Sequence, residues 1–62
     1  MISVTRINGT ELVINAELIE LVESTPDTLI TLNTGRKIIV RDTKDDIVSK
    51  VIDYRRRISE GT

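Results

Sequence analysis

Three clusters of charged residues are the strongest candidates for chemistry in this sequence of 62 residues. The first cluster, Asp42, Asp45 and Asp46, lies at the predicted start of a helix, where carboxylates stabilise the positive end of the helix dipole. The cluster lacks the ordered series of oxygen ligands that a calcium loop requires. We therefore interpret these residues as helix-capping groups and predict no metal site.

The second cluster consists of Glu17, Glu20 and Glu23, which recur at every third position. Catalytic carboxylates need different environments that separate their pKa values. A regular polar pattern gives all three residues a similar environment. We therefore predict that they form a solvated edge.

The third cluster is the run Arg55 to Arg57 near the predicted end of the helix, where cations stabilise the negative end of the dipole. The same run is also suited to docking on an acidic protein or an anionic lipid. It does not favour nucleic acid, because the run is short, is balanced by acids and has no aromatic stacking platform beside it.

The remaining composition argues against an enzyme. The chain has no histidine and no cysteine, so the commonest general base and thiolate ligands are missing. Its serines and threonines have no base to activate them. Gly9 and Gly35 lie in predicted hairpin turns, so neither belongs to a phosphate-binding loop before a helix. We predict no catalytic residue and no cofactor.

Chain length predicts one domain over residues 1–62 with limited stability. A chain this short buries only about 60% of its unfolded surface. Disulfides are excluded, and one tyrosine is the only aromatic residue, so the core must come from Ile, Val and Leu. Oligomerisation is the remaining way to stabilise so short a chain. We therefore expect a homo-oligomer, either a dimer or a trimer.

Charge is unevenly distributed along a chain whose net charge is −1. Residues 1–35 hold one cation and five acids, a net charge of −4, whereas residues 36–62 hold eight cations and five acids, a net charge of +3. Such halves indicate complementary patches within one fold or between protomers. No apolar run approaches the roughly 20 residues of a membrane span and no signal peptide is visible, so we expect a cytoplasmic protein.

The first half of the chain predicts two strands, over 2–7 and 11–14, joined by a type I′ turn at Asn8-Gly9. Asn15 is expected to cap a turn at Ala16-Glu17. Three further strands are predicted over 18–24, 29–32 and 37–40. The type I′ register pairs Ile7 with Thr10, Arg6 with Glu11, Thr5 with Leu12 and Val4 with Val13, which makes Arg6–Glu11 a cross-strand ion pair.

Two turns and a helix complete the expected α+β fold, which is an N-terminal hairpin, a three-stranded antiparallel meander and one C-terminal amphipathic helix. Gly35 suits the left-handed position of a bulged hairpin. The helix is predicted over 44–58, with a capping box at Thr43 and Asp46 and a stop at Gly61. The turn Thr25, Pro26, Asp27 and Thr28 is fixed by its proline and is a candidate binding loop.

The predicted helix has an apolar arc about 160° wide at 100° per residue, more than one sheet face requires. The candidate interface consists of Val48, Ile52, Tyr54, Arg55 and Arg56. Arg55 lies inside the apolar arc. Two interpretations remain open: the helix contacts its own sheet and a neighbouring protomer, or Arg55 only extends along aliphatic side chains to the solvent.

Several segments occur together in a distinctive order. They are Val4-Thr5-Arg6-Ile7-Asn8-Gly9, Asn15-Ala16-Glu17-Leu18-Ile19-Glu20, Glu23-Ser24-Thr25-Pro26-Asp27-Thr28-Leu29-Ile30-Thr31-Leu32, Thr34-Gly35-Arg36-Lys37 and Val51-Ile52-Asp53-Tyr54-Arg55-Arg56. In order and spacing, over residues 2 to about 58, the chain resembles the FlbD/SwrD family of small flagellar proteins.

The resemblance implies a non-enzymatic accessory of flagellar and swarming motility. Members of the SwrD group are thought to raise flagellar motor power through the stator. The expected partners are therefore the chain itself and a stator or motor component, and the expected location is the cytoplasm or the inner membrane face near the motor. The alternative is a small cytoplasmic regulator that binds RNA or an acidic protein through the Arg-rich helix end.

Overall fold

The computed structural model describes residues 1–24 and 26–60, and the side chains of these residues up to 58. Five strands and one α-helix form the predicted α+β architecture, with a two-stranded and a three-stranded antiparallel sheet. The elements are β1 (Ile2–Thr5), β2 (Glu11–Ile14), a 3-10 turn (Ala16–Leu18), β3 (Ile19–Ser24), β4 (Thr28–Leu32), β5 (Lys37–Val40) and α1 (Lys44–Glu60).

The β1–β2 hairpin forms as predicted, but its turn is longer by one residue. Gly9 has a φ of +93°, whereas no residue other than glycine has a positive φ among those described, so Asn8 does not adopt the type I′ conformation. The Arg6 N–H donates to the Thr10 carbonyl at 2.8 Å, which closes a three-residue turn with Gly9 in the left-handed position.

This turn changes the predicted register by one residue. Thr5 lies opposite Glu11 and Val4 opposite Leu12, so the predicted Arg6–Glu11 cross-strand pair was wrong. The physical reason is burial, because a one-residue shift moves a strand's side chains to the opposite face. The observed register places Ile2 opposite Ile14, and both side chains are buried in the core.

The β4–β5 turn repeats the same geometry. The Leu32 N–H donates to the Arg36 carbonyl at 2.8 Å and the Gly35 N–H donates to the Leu32 carbonyl at 2.9 Å. Gly35 has a φ of +94°, which confirms its predicted left-handed conformation.

We expect Gly35→Ala to lower the free energy of unfolding by about 1 kcal/mol, because an L side chain is strained at this φ. A Cβ at Gly35 would meet no atom within 4 Å, so the effect isolates backbone conformation. Urea denaturation measures it, with Thr34→Ala in the same turn as the control. Equal midpoints for the two variants would contradict the prediction.

The meander differs from its predicted bounds at two positions, the starts of β3 and β4. Leu18 belongs to the 3-10 turn, so β3 begins at Ile19. The Asn15 side chain caps that turn as predicted, with Oδ1 accepting the Glu17 N–H at 3.0 Å. In the β3–β4 hairpin, β4 begins at Thr28, because this residue is buried and pairs with Ser24.

The two sheets meet where β1 ends and β5 ends. Arg6, predicted to lie within the first strand, instead forms an isolated antiparallel bridge with Val40. The Arg41 N–H donates to the Thr5 carbonyl at 2.7 Å, and the Ile7 N–H donates to the Ile39 carbonyl at 3.2 Å. Strand β1 ends at Thr5 and is shorter than the predicted range 2–7, because Arg6 closes the three-residue turn and Ile7 lies within that turn.

Helix α1 begins with the predicted capping box. The Asp46 N–H donates to Thr43 Oγ1 at 3.1 Å, and the Thr43 N–H donates to Asp46 Oδ2 at 3.3 Å. These bonds satisfy two amide groups that would otherwise lack a partner at the helix start. The helix continues to Glu60, two residues beyond its predicted end, and the predicted stop at Gly61 lies outside the described residues.

The core lies between the two sheets and the first half of α1. Its buried members come from every strand except β3, and Ile47 is the helix residue that reaches its centre. No aromatic ring is among them. The buried hydrophobic residues are Ile2, Val4, Ile14, Ala16, Ile30, Leu32, Val40 and Ile47.

Candidate functional site

One side of α1 leaves large aliphatic side chains in contact with solvent. Val48 is 47% exposed and Ile52 is 53% exposed, although Ile47 beside them is completely buried. The helix thus uses one part of its wide apolar arc to contact the core and presents the other part outward. Such a cluster is larger than the isolated apolar side chains that are normal on a protein surface.

Strand β3 extends this cluster into a shallow apolar groove. Ile19 and Val22 of β3 line it together with residues of α1, and the groove has a volume of about 360 Å³. Arg55 also lines the groove, in keeping with its predicted position inside the apolar arc of the helix. We name it the α1–β3 apolar surface, which consists of Ile19, Val22, Ile47, Val48, Val51, Ile52 and Arg55.

The structure separates the predicted interface residues into different regions. Val48, Ile52 and Arg55 share the α1–β3 apolar surface. Tyr54 is half-buried on another side of the helix, where it lies near the β1–β2 hairpin. Arg56 is exposed and adjoins Ile52 from the polar side of the helix.

The contribution of β3 to this surface was not predicted, although the sequence contains a signal for it. In the segment predicted as a strand over 18–24, Leu18, Ile19, Leu21 and Val22 would place apolar side chains on both faces. Ile19 and Val22 contact the hydrophobic core at its margin, while Leu21 is 48% exposed. A bulge between Ile19 and Leu21 interrupts the alternation, so a simple period of two did not identify the residues that face α1.

The predicted binding turn is partly exposed. Pro26 and Asp27 are open to solvent, and together with Arg41 and Thr43 they line a shallow depression. The buried Thr28 belongs to β4 and not to the exposed part of the turn. Thr25 lies outside the described residues.

The acidic cluster at the helix start divides into two structural roles. Asp46 forms the capping box, whereas Asp42 connects the helix to β1. Asp42 Oδ1 accepts the Thr5 N–H at 2.7 Å, and Oδ2 accepts Lys50 Nζ at 2.8 Å. Lys50 Nζ also donates to the Ser3 carbonyl at 2.6 Å. We name this group, Asp42, Lys50, Ser3 and Thr5, the Asp42 clasp.

The ionised form of Asp42 is stabilised by the clasp. Burial alone would raise the pKa of this carboxyl, but the hydrogen bonds from Lys50 and from the Thr5 N–H outweigh it and hold the pKa below its ordinary value. The lowered pKa of Asp42 therefore reflects a structural role, which is to attach α1 to β1. Residues 1–24 and 26–60 contain no group of three carboxylates placed to bind a metal ion.

The other two charged clusters are exposed. Glu17, Glu20 and Glu23 all face solvent, as the sequence predicted. In the arginine run, Arg57 pairs with Asp53 one turn earlier at 2.9 Å, with both side chains more than half exposed. Exposed pairs of this kind contribute little to stability.

Within the described part of the chain, no helix is long and apolar enough to cross a membrane.

Comparison with known proteins identifies a family over almost the whole chain. Residues 1–59 match the model of the FlbD family, described as flagellar and swarming motility proteins. Comparisons with curated proteins and with solved structures gave no match. The matched range includes both sheets and nearly all of α1. The chain therefore belongs to the FlbD family of flagellar and swarming motility proteins.

Proposed function

We propose that this protein is a non-enzymatic accessory of flagellar motility that raises motor power through protein–protein contacts near the stator. Family membership supports the cellular process. The observation that carries a binding role is the α1–β3 apolar surface, because Val48 and Ile52 are about half exposed on an ordered helix. Burial of such aliphatic groups is the main favourable term in protein association.

The proposed contact is a helix face that binds an apolar patch of a motor component. Ile19 and Val22 line the groove from β3, Val48 and Ile52 line it from α1, and the exposed Arg55 of α1 lines it as well. A cation at the rim of an apolar contact contributes to orientation and association rate. The protein would act in the cytoplasm, at the inner membrane face near the motor, and would also bind further copies of itself.

Substitution of the surface tests this proposal. We expect Val48→Ser/Ile52→Ser to abolish complementation of swarming in a strain that lacks the gene, while flagella are still assembled. The fold should persist, because Val48 and Ile52 are about half exposed and we expect a loss of about 1 kcal/mol or less in unfolding free energy at each position. Swarm expansion and the torque of tethered cells are the measurements.

A matched control variant is available in the same chain. Ile7→Ser/Val13→Ser also replaces one Ile and one Val, which are 52% and 54% exposed on the β1–β2 hairpin. This control should complement swarming fully. Equal loss for both double variants, or full complementation by Val48→Ser/Ile52→Ser, would refute the proposed surface.

A further inference from the structure

The opposite charges of the two halves of the chain are not neutralised within one copy. Among the described side chains, the two ion pairs are Asp42–Lys50 and Asp53–Arg57, and all four residues belong to the second half. In the part of the chain that the structure describes, no acid of residues 1–35 pairs with a cation of residues 36–58. Complementarity within the fold, one of the two interpretations of the charge pattern, is therefore not what the structure contains.

These charges lie on opposite edges of the three-stranded sheet. The sheet order is β3-β4-β5, so β3 and β5 are its outer strands. Glu20 and Glu23 are exposed on β3. Arg36 and Lys37 are exposed at the start of β5, where they line a cleft together with Arg6. One edge is thus acidic and the other is basic.

The strand register places these charges at the same height on the sheet. Thr31 of β4 lies opposite Leu21 of β3 and also opposite Lys37 of β5. Because β3 and β5 are both antiparallel to β4, they run in the same direction. A second copy placed with its β3 beside the open start of β5 at this height would bring Lys37 next to Leu21 and close to Glu20. The outer edge of β5 at residues 39–41 stays occupied by residues 5–7 of the same chain.

Both edges are accessible where the charges lie. Contact between β1 and β5 involves residues 5–7 and 39–41, and leaves the start of β5 open. Edge strands present unpaired backbone groups, and like charges on them prevent two identical edges from pairing. Opposite charges on unlike edges have the reverse effect. They disfavour β3–β3 and β5–β5 contacts and favour β3–β5 contacts.

We propose that a second copy of this chain is the partner of these edges and that copies associate head to tail, with the basic β5 edge of one against the acidic β3 edge of the next. This inference rests on the proposed self-association and specifies its geometry. The contact is heterologous, so each associated pair retains one free edge of each sign. Val48 and Ile52 lie on α1 and stay available to a motor component.

Charge exchange tests the geometry. Glu20→Lys/Glu23→Lys reverses the β3 edge, Arg36→Glu/Lys37→Glu reverses the β5 edge, and the quadruple variant reverses both while keeping the net charge of −1. Light scattering on a size-exclusion column should give a wild-type mass that exceeds 7.0 kDa and rises with concentration. Each double variant should elute as a monomer, and the quadruple variant should associate again.

The controls separate this proposal from charge effects in general. Lys44→Glu/Arg56→Glu replaces two cations outside both edges, and this variant should keep the ability to associate. Added salt should lower the wild-type mass, because exposed ion pairs are screened. Circular dichroism and urea denaturation confirm that each variant is folded.

Three outcomes would overturn the head-to-tail contact: a wild type that is monomeric at every concentration, double variants that keep the wild-type mass, or a quadruple variant that stays monomeric. These outcomes are independent of the motor-binding proposal. Val48→Ser/Ile52→Ser should associate like the wild type even though it fails to support swarming.

Discussion

Replacement of Ile47 by Ala is expected to lower the free energy of unfolding by about 3–4 kcal/mol, one of the two largest effects predicted for this chain. Ile47 is completely buried and is the helix residue at the centre of the core. A domain of this size has a total stability of about 3–9 kcal/mol. The variant should therefore lose about a third or more of the protein's stability, which thermal and urea denaturation would measure.

Ile52→Ala is the matched control for this prediction. It removes the same atoms from the same helix, but Ile52 is 53% exposed. The free energy of unfolding should fall by about 1 kcal/mol or less, because little buried apolar area is lost and Ala has a higher helix propensity than Ile. Equal losses at the two positions would show that α1 does not contact the sheet through Ile47.

The second large effect is expected at Asp42. Asp42→Ala removes an 11%-exposed carboxylate that accepts hydrogen bonds from Lys50 and from the Thr5 N–H. Hydrogen bonds to charged groups contribute about 1.5–3 kcal/mol each, part of which Lys50 recovers by contact with water. We expect a loss of about 2–3 kcal/mol in the free energy of unfolding. Asp45→Ala, at an exposed position beside it, should change stability by less than about 0.5 kcal/mol.

The contribution of Asp42 should depend on pH in a defined direction. The pKa of its carboxyl is lowered in the folded protein from an ordinary value of 3.8. The stabilisation is therefore complete above pH 3.8 and is lost as the pH falls from there through the folded pKa. The difference in unfolding free energy between wild type and Asp42→Ala should narrow over that range. A constant difference at all pH values would exclude the ionised carboxylate as its origin.

The two glycine turns show how far the sequence determines local structure. Around Gly35, the flanking strands and the left-handed residue were predicted, because only one turn type fits a glycine in the third loop position. At Asn8-Gly9 the dipeptide is compatible with two turn lengths. The three-residue turn is selected because its register places Ile2 opposite Ile14 and buries both side chains in the core. This selection is a tertiary effect.

The candidate site was predicted in part, for a similar reason. Helical periodicity identified Val48, Ile52 and Arg55, because a helix fixes which residues share a face. The residues that β3 adds, Ile19 and Val22, depend on a bulge and on where the helix docks. No local sequence pattern encodes the position of the bulge or the place where the helix docks. Similarly, Asp42 was interpreted as a helix cap, because its contact with the Thr5 N–H joins residues 37 positions apart and no local pattern indicates such a contact.

The Asp42 clasp also has a consequence for the order of folding. Its contacts join residues 37 and 47 positions apart, whereas the hairpins close through three-residue turns. Loop-closure entropy must be overcome before distant contacts can stabilise the chain, so hairpins form early and distant contacts form late. We therefore expect the clasp to fasten the helix to β1 in one of the last steps of folding. We expect it to slow unfolding more than it speeds folding.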